Sequence, residues 1–118
     1  MQDLKLTNVV RAYCGAYQTE NREVAEALLA DEFSFTSPND DAIDKATYFE
    51  RCWPDGDARD EQRIESILVE GDQAFVTYTC RSEGGRSFRN TEFLTFSGER
   101  ISSVNVYFGP VWQDGVLV

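Results

Sequence analysis

An α+β domain is the fold class the sequence predicts, and three observations predict it. Apolar residues recur every three or four positions through the first part of the chain, the period changes to two after Glu61, and short Gly-containing turns separate the later segments. The chain has 118 residues, the size of one ordinary domain, so residues 1–118 are read as a single unit with one core. Apolar residues make up 42% of it. That is enough to bury roughly 65% of the unfolded surface without a disulfide or metal staple.

Leu6, Val9, Val10, Tyr13 and Tyr17 fall on one stripe of a first helix over residues 3–18. Asn21 caps a short second helix carrying Val24, Ala25, Leu28 and Leu29, which runs out at Ala30 and Asp31. From Glu32 to Ser37, Phe33 and Phe35 alternate with Ser34 and Thr36, the pattern of a strand with one buried face. A third helix starts on the Asp44 cap and carries Ala46, Tyr48, Phe49, Cys52 and Trp53. Segments 64–70, 74–81, 87–96 and 101–108 are rich in β-branched and aromatic residues and read as an antiparallel meander, with the three helices over one face. Pro38, Pro54 and Pro110 are each read as ending an element. The strand at 74–81 is ambiguous, because Ala74, Val76, Tyr78 and Cys80 are as apolar as the opposite set that includes Phe75.

Composition excludes several function classes. Eleven basic against twenty-one acidic residues give a net charge of −10, which repels nucleic acid and anionic membranes. No apolar run reaches the ~18 residues of a membrane span and the N-terminus lacks a signal peptide's pattern, so a cytoplasmic protein is expected. Histidine is absent, which rules out Ser-His-Asp, Cys-His and His-metal chemistry. Cys14, Cys52 and Cys80 are odd in number and widely spaced, and they are read as buried thiols rather than a disulfide or zinc framework. No metal or other cofactor is expected. The acidic stretches Asn39-Asp40-Asp41 and Asp55 to Glu61 do not match a calcium loop and are read as solvated loops.

The segments VVRAYCGAYQTENREVAEALLADEFSFTSP and FRNTEFLTFSGERISSVNVYFG, with a helix between them, resemble the NTF2-like superfamily, and within it the SnoaL-like and ketosteroid-isomerase-like proteins. The resemblance spans about residues 6–109. It implies a cone whose pocket is lined by the first helix, the third helix and the concave face of a strongly curved antiparallel sheet, in a protein that forms homodimers sheet to sheet. Carried over residue by residue, the isomerase's oxyanion-donating tyrosine matches Tyr13. Its general-base aspartate falls on Ser37, so that base is missing, with Asp40 or Asp41 as possible substitutes. Its protonated acid falls on Glu92, or on Thr91 if the strand shifts by one.

Alternation independently sets Phe88, Asn90, Glu92, Leu94 and Phe96 on one strand face. A carboxyl there would be desolvated, raising its pKa, and a neutral Glu92 beside Tyr13 would offer two donors to one ligand oxygen, the arrangement known for ketosteroid isomerase. The alternative is a solvated Glu92 paired with Arg86 or Arg89. Tyr17, Phe33, Phe35, Ser37, Val106 and Phe108 complete the expected lining, and on the third helix either Phe49 with Trp53 or Tyr48 with Cys52 walls the cavity. Thr95, Ser103, Asn105 and Tyr107 would lie on the outer, dimer-forming face. Three functions fit these residues: a binding protein holding a small hydrophobic molecule in an apolar cone, a cofactor-independent isomerase, cyclase or dehydratase, and a non-catalytic dimerisation module.

Overall fold

In a computed structural model, which describes residues 2–53 and 61–118, each element begins and ends for a local reason. Helix α1 (Gln2–Gln18) turns Leu6, Val10, Tyr13, Cys14 and Ala16 into the core. Helix α2 (Arg22–Leu28) starts where the Asn21 side chain accepts the Val24 amide hydrogen at 3.3 Å. Its end is held by Lys45, whose ammonium donates to the carbonyls of Glu26 and Leu29 at 2.9 and 3.0 Å. The chain then passes straight into β1 (Leu29–Ser37), with no loop between. Strand β2 (Asp40–Asp44) folds back on β1. Helix α3 (Lys45–Arg51) begins at Asp44, whose carboxylate accepts from the Thr47 amide at 2.9 Å. The Thr47 side chain first, and this amide bond after it, hold the Asp44 carboxyl below its ordinary range.

The remaining strands are β3 (Glu61–Glu70), β4 (Gln73–Arg81), β5 (Arg86–Ser97), β6 (Arg100–Gln113) and β7 (Val116–Leu117). They form one sheet in the order β2-β1-β6-β5-β4-β3, with β7 paired to β6. Strands β3 to β6 are the expected antiparallel meander. Helix α1 lies on β3 and β4, and α3 on β1. The core is the layer between, where Tyr48 packs edge-on against Phe33 and Phe49 and tilts against Phe35.

Four expectations are corrected. The sheet is mixed rather than wholly antiparallel, because β1 runs parallel to β6, with Phe35 opposite Val104. Strand β1 starts at Leu29, not Glu32, since Leu29 and Ala30 are buried beneath α2. Residues 40–44 are a strand and not a solvated loop, because β1 has a free edge there. Pro110 lies inside β6 instead of ending it: Asn90 pairs with Phe108 and Phe88 with Val111, so Gly109 and Pro110 together face Arg89 as a bulge, where a missing N–H breaks no ladder bond. Gly109 is required at that bulge, since a Cβ there would lie 1.9 Å from the Arg89 carbonyl oxygen. The expected helix end at Pro54 and the acidic stretch from Asp55 to Asp60 fall outside the described residues.

Candidate functional site

The ambiguous strand resolves in favour of Ala74, Val76, Tyr78 and Cys80, all buried on the inner face of β4. On β5 the buried residues are Asn90, Glu92, Leu94 and Phe96, while Thr91 is half-exposed on the other side. Glu92 therefore points inward, at 7% exposure. It has no arginine partner among the described residues. Val76 lies directly opposite Glu92 and Tyr78 opposite Asn90, so Tyr78 reaches Glu92 along the diagonal. Its hydroxyl donates to Glu92 Oε2 at 2.5 Å. Burial raises the carboxyl from its ordinary 4.5 to about 7, with the Tyr78 bond acting in the opposite direction. The other oxygen, Oε1, is buried without a hydrogen-bond partner among the described residues.

Asn90 is oriented by its Oδ1, which accepts from the Gly109 amide at 3.1 Å. The bulge thus places an amide where the Asn90 side chain needs it. The Tyr13 and Tyr48 hydroxyls bond each other at 3.3 Å. Burial pushes both phenols, and that of Tyr78, well above their usual value, so all three are neutral hydrogen-bonding groups. Cys14 is likewise pushed up to about 12 by burial, which leaves an inert thiol.

These side chains surround a cavity of about 530 Å³ bounded by α1, β1, α3 and the sheet. Tyr13, Phe35, Tyr48, Tyr78, Asn90, Glu92 and Val106 form its buried wall, and the exposed Tyr17, Arg51 and Phe108 border its opening. The Tyr17 hydroxyl donates to the Cys52 carbonyl at 3.0 Å and ties α1 to the end of α3 there. Ser37 also lines the space. Next to it stands Asp40, whose side chain is only 8% exposed. Asp40 Oδ1 sits 2.9 Å from Arg51 Nη2, and Oδ2 accepts from the Ser37 hydroxyl at 3.3 Å and the Cys52 thiol at 3.8 Å.

Eight of the expected lining residues come together in this way. Phe33, Phe49 and Trp53 do not line the cavity: Phe33 is core beneath Tyr48, and Phe49 stacks between Tyr48 and Trp53 behind the wall. Of the two α3 pairs, Tyr48 and Cys52 face the cavity. Glu92 does not bond Tyr13 directly; each acid and phenol has its own tyrosine, Tyr78 and Tyr48. The cavity is also less apolar than expected, since Gln18, Asp40, Arg51 and Gln62 join its lining. Cys52 is half-buried rather than buried. Tyr78 and Asp40 are among the lining members that periodicity did not identify. Among the described residues no group of three or more His, Cys, Asp or Glu is placed to hold a metal ion, and no helix is long and apolar enough to cross a membrane.

The profile of the SnoaL-like domain matches residues 10–104. Among curated proteins none matches the chain. Among solved structures, a candidate ketosteroid isomerase from Kribbella flavida superposes with a TM-score of 0.80 at 19% identity, covering 96% of this chain and 84% of that one. An LEH-like epoxide hydrolase from M. tuberculosis gives 0.76 at 20% identity, over 92% and 85% of the two chains. A candidate SnoaL-like polyketide cyclase from Jannaschia sp. CCS1 gives 0.75 at 15% identity, over 90% and 86%. At such identities the likeness establishes the NTF2-like fold and leaves the chemistry to the residues themselves.

Proposed function

The chain belongs to the SnoaL-like domain family, and from that premise we propose that it binds a small, mainly apolar molecule bearing an oxygen, which Glu92 and Tyr13 orient inside the cavity. One observation carries the reading: Glu92 Oε1 is buried with no partner among the described residues, at the wall of a space of about 530 Å³. A buried polar atom left unmade costs about 1–3 kcal/mol, and a ligand oxygen would recover it. α-Tetralone and tetralin, an aromatic ketone and its parent hydrocarbon, are suitable probes. A saturating probe should raise the unfolding free energy by about 2.7 kcal/mol at a hundredfold excess over Kd. Val106→Trp, which projects an indole into the cavity, should reduce that rise; an equal rise in this variant would move binding elsewhere.

A catalytic reading has one specific support. Asp40 brings into the cavity the carboxylate that Ser37 lacks, and its contact with Ser37 places it beside the position the isomerase resemblance assigns to a base. Asp40 would take a proton α to a carbonyl while the neutral Tyr13 and Glu92 stabilise the enolate oxygen. Loss of the α-hydrogens of tetralone in heavy water, abolished in Asp40→Asn, distinguishes turnover from binding.

A second copy of the chain is the proposed partner. The outer sheet face carries Thr95, Ser103, Asn105 and Tyr107, together with Phe75 and Phe93 stacked at 4.8 Å, and Phe75 and Tyr107 are 47% and 55% exposed. Sedimentation should give a dimer that Phe75→Lys dissociates; a monomer at micromolar concentration removes this part of the proposal.

A further inference from the structure

We propose that Tyr78 and Asn90 are positioning residues that seat the proton of neutral Glu92 on Oε1, so that the cavity selects a carbonyl-type acceptor oxygen and disfavours an alkylammonium of the same shape. The inference rests on the binding role proposed above and follows from counting protons along one chain of groups. The Gly109 N–H occupies Asn90 Oδ1, which leaves the Asn90 amide hydrogens as what that side chain can give. Asn90 stands directly opposite Tyr78 in the ladder, and its side chain acts to lower the Tyr78 phenol against the larger effect of burial. Tyr78 has a single proton, and it lies on the 2.5 Å line to Glu92 Oε2. Oε2 is thereby an acceptor. In the neutral acid the proton must then reside on Oε1, the buried oxygen with no partner among the described residues, and only an acceptor from outside can satisfy it.

The Tyr13 and Tyr48 pair leads to the same end. Two hydroxyls share one bond at 3.3 Å, so one of their two protons remains to be donated. The cavity therefore offers donors at its wall. Among the described residues, Tyr13, Tyr48, Tyr78 and Cys14 act on or face Glu92 and are held neutral by burial, and Cys80 lines the same wall as a buried thiol, so none of these supplies the positive charge that would favour the ionised form. Among the described residues Arg51 is the one guanidinium in the lining, and it is engaged with Asp40 at 2.9 Å. Directional chains of this kind polarise one another, and reversing one link requires reversing the rest.

The test reads the proton without needing a ligand. At about pH 5, where the acid is neutral, the infrared difference between the parent and Glu92→Gln should contain a protonated carboxyl C=O band. Tyr78→Phe should move that band to higher wavenumber, because the C=O at Oε2 loses its donor. Asn90→Ala, which frees Tyr78 without touching Glu92, should move it the same way by less. A protonated band that neither variant shifts, or no such band in the parent, overturns the proposal. A purely structural tyrosine would alter stability and leave the band in place.

The ligand class is then read with three probes on one scaffold. Near pH 6 the parent should bind α-tetralone about tenfold more tightly than tetralin or α-aminotetralin, and Tyr78→Phe should reduce that preference severalfold. Tighter binding of the amine overturns the inference while leaving a binding cavity. Binding of neither tetralone nor tetralin overturns the binding role and the ligand class with it, and the infrared band still decides where the proton sits.

Discussion

Replacing Tyr48 by alanine should lower the stability of the chain by about 3–5 kcal/mol. The side chain is 1% exposed and is the hub of the aromatic cluster, with ring centroids 5.3 Å from Phe33, 4.9 Å from Phe35 and 5.2 Å from Phe49. Truncation empties the seam between α3 and β1. It also strips Tyr13 of its hydroxyl partner. Tyr48→Phe separates the two losses: it keeps the packing and should cost about 1 kcal/mol. Urea midpoints for both variants provide the measurement. A loss near 1 kcal/mol for the alanine variant would contradict the packing of α3 on β1 described here.

The second large effect is a pH dependence. Unfolded, Glu92 ionises near 4.5; folded, it keeps its proton up to about 7. Below the lower value both states are protonated and the carboxyl's contribution is fully present. Between the two, the unfolded state alone gives up its proton, and stability falls by about 1.4 kcal/mol per pH unit. Above 7 both are ionised and the loss levels off at about 3 kcal/mol. Glu92→Gln retains the shape and cannot ionise, so the parent should lose that amount relative to the Gln variant between about pH 4.5 and pH 7. Asp44, held low by Thr47, and Glu65, held low first by the Thr79 hydroxyl, titrate in the opposite sense. They are common to both proteins and cancel in the difference. A flat difference between parent and variant would mean that Glu92 is ionised in the folded state throughout.

How far these features can be read from residues alone depends on what drives each one. Helix starts at Asn21 and Asp44 are local chemistry, a side-chain oxygen accepting a nearby amide, and both are legible. Glu92 is legible only as one of two phases: Asn90, Glu92, Leu94 and Phe96 alternate together, but a slip of one residue would put Thr91 inside, and only the pairing with β4 decides. Tyr78 is not legible. Both faces of β4 carry apolar or aromatic residues, so only the neighbouring strands decide which one is inside. Asp40 is legible only as one of two candidate bases beside Ser37, and its burial is not, because Asn-Asp-Asp after a proline has the composition of a turn and the Arg51 it pairs with lies eleven positions later on another element. The bulge at Pro110 had to be seen from the partner strand, since its register against Phe88 and Asn90 is a two-chain-segment property.

The parallel seam between β1 and β6 also sets an order of events. Strands β3 to β6 are joined by tight hairpins and can pair as soon as each is available, but Phe35 must wait for Val104, and Leu29 for Ile101. Contacts of such long sequence separation bear the loop-closure entropy before they repay it, and they form late. During synthesis β1 emerges before β6 and has only β2 to pair with, so its other edge stays open until β6 has left the ribosome. The cavity, which has β1 and α3 on one side and the meander on the other, does not exist until that seam closes. A ligand of the kind proposed above would therefore recognise only the finished molecule, and its binding would slow unfolding by opposing the parting of this seam, rather than hasten the pairing of the hairpins.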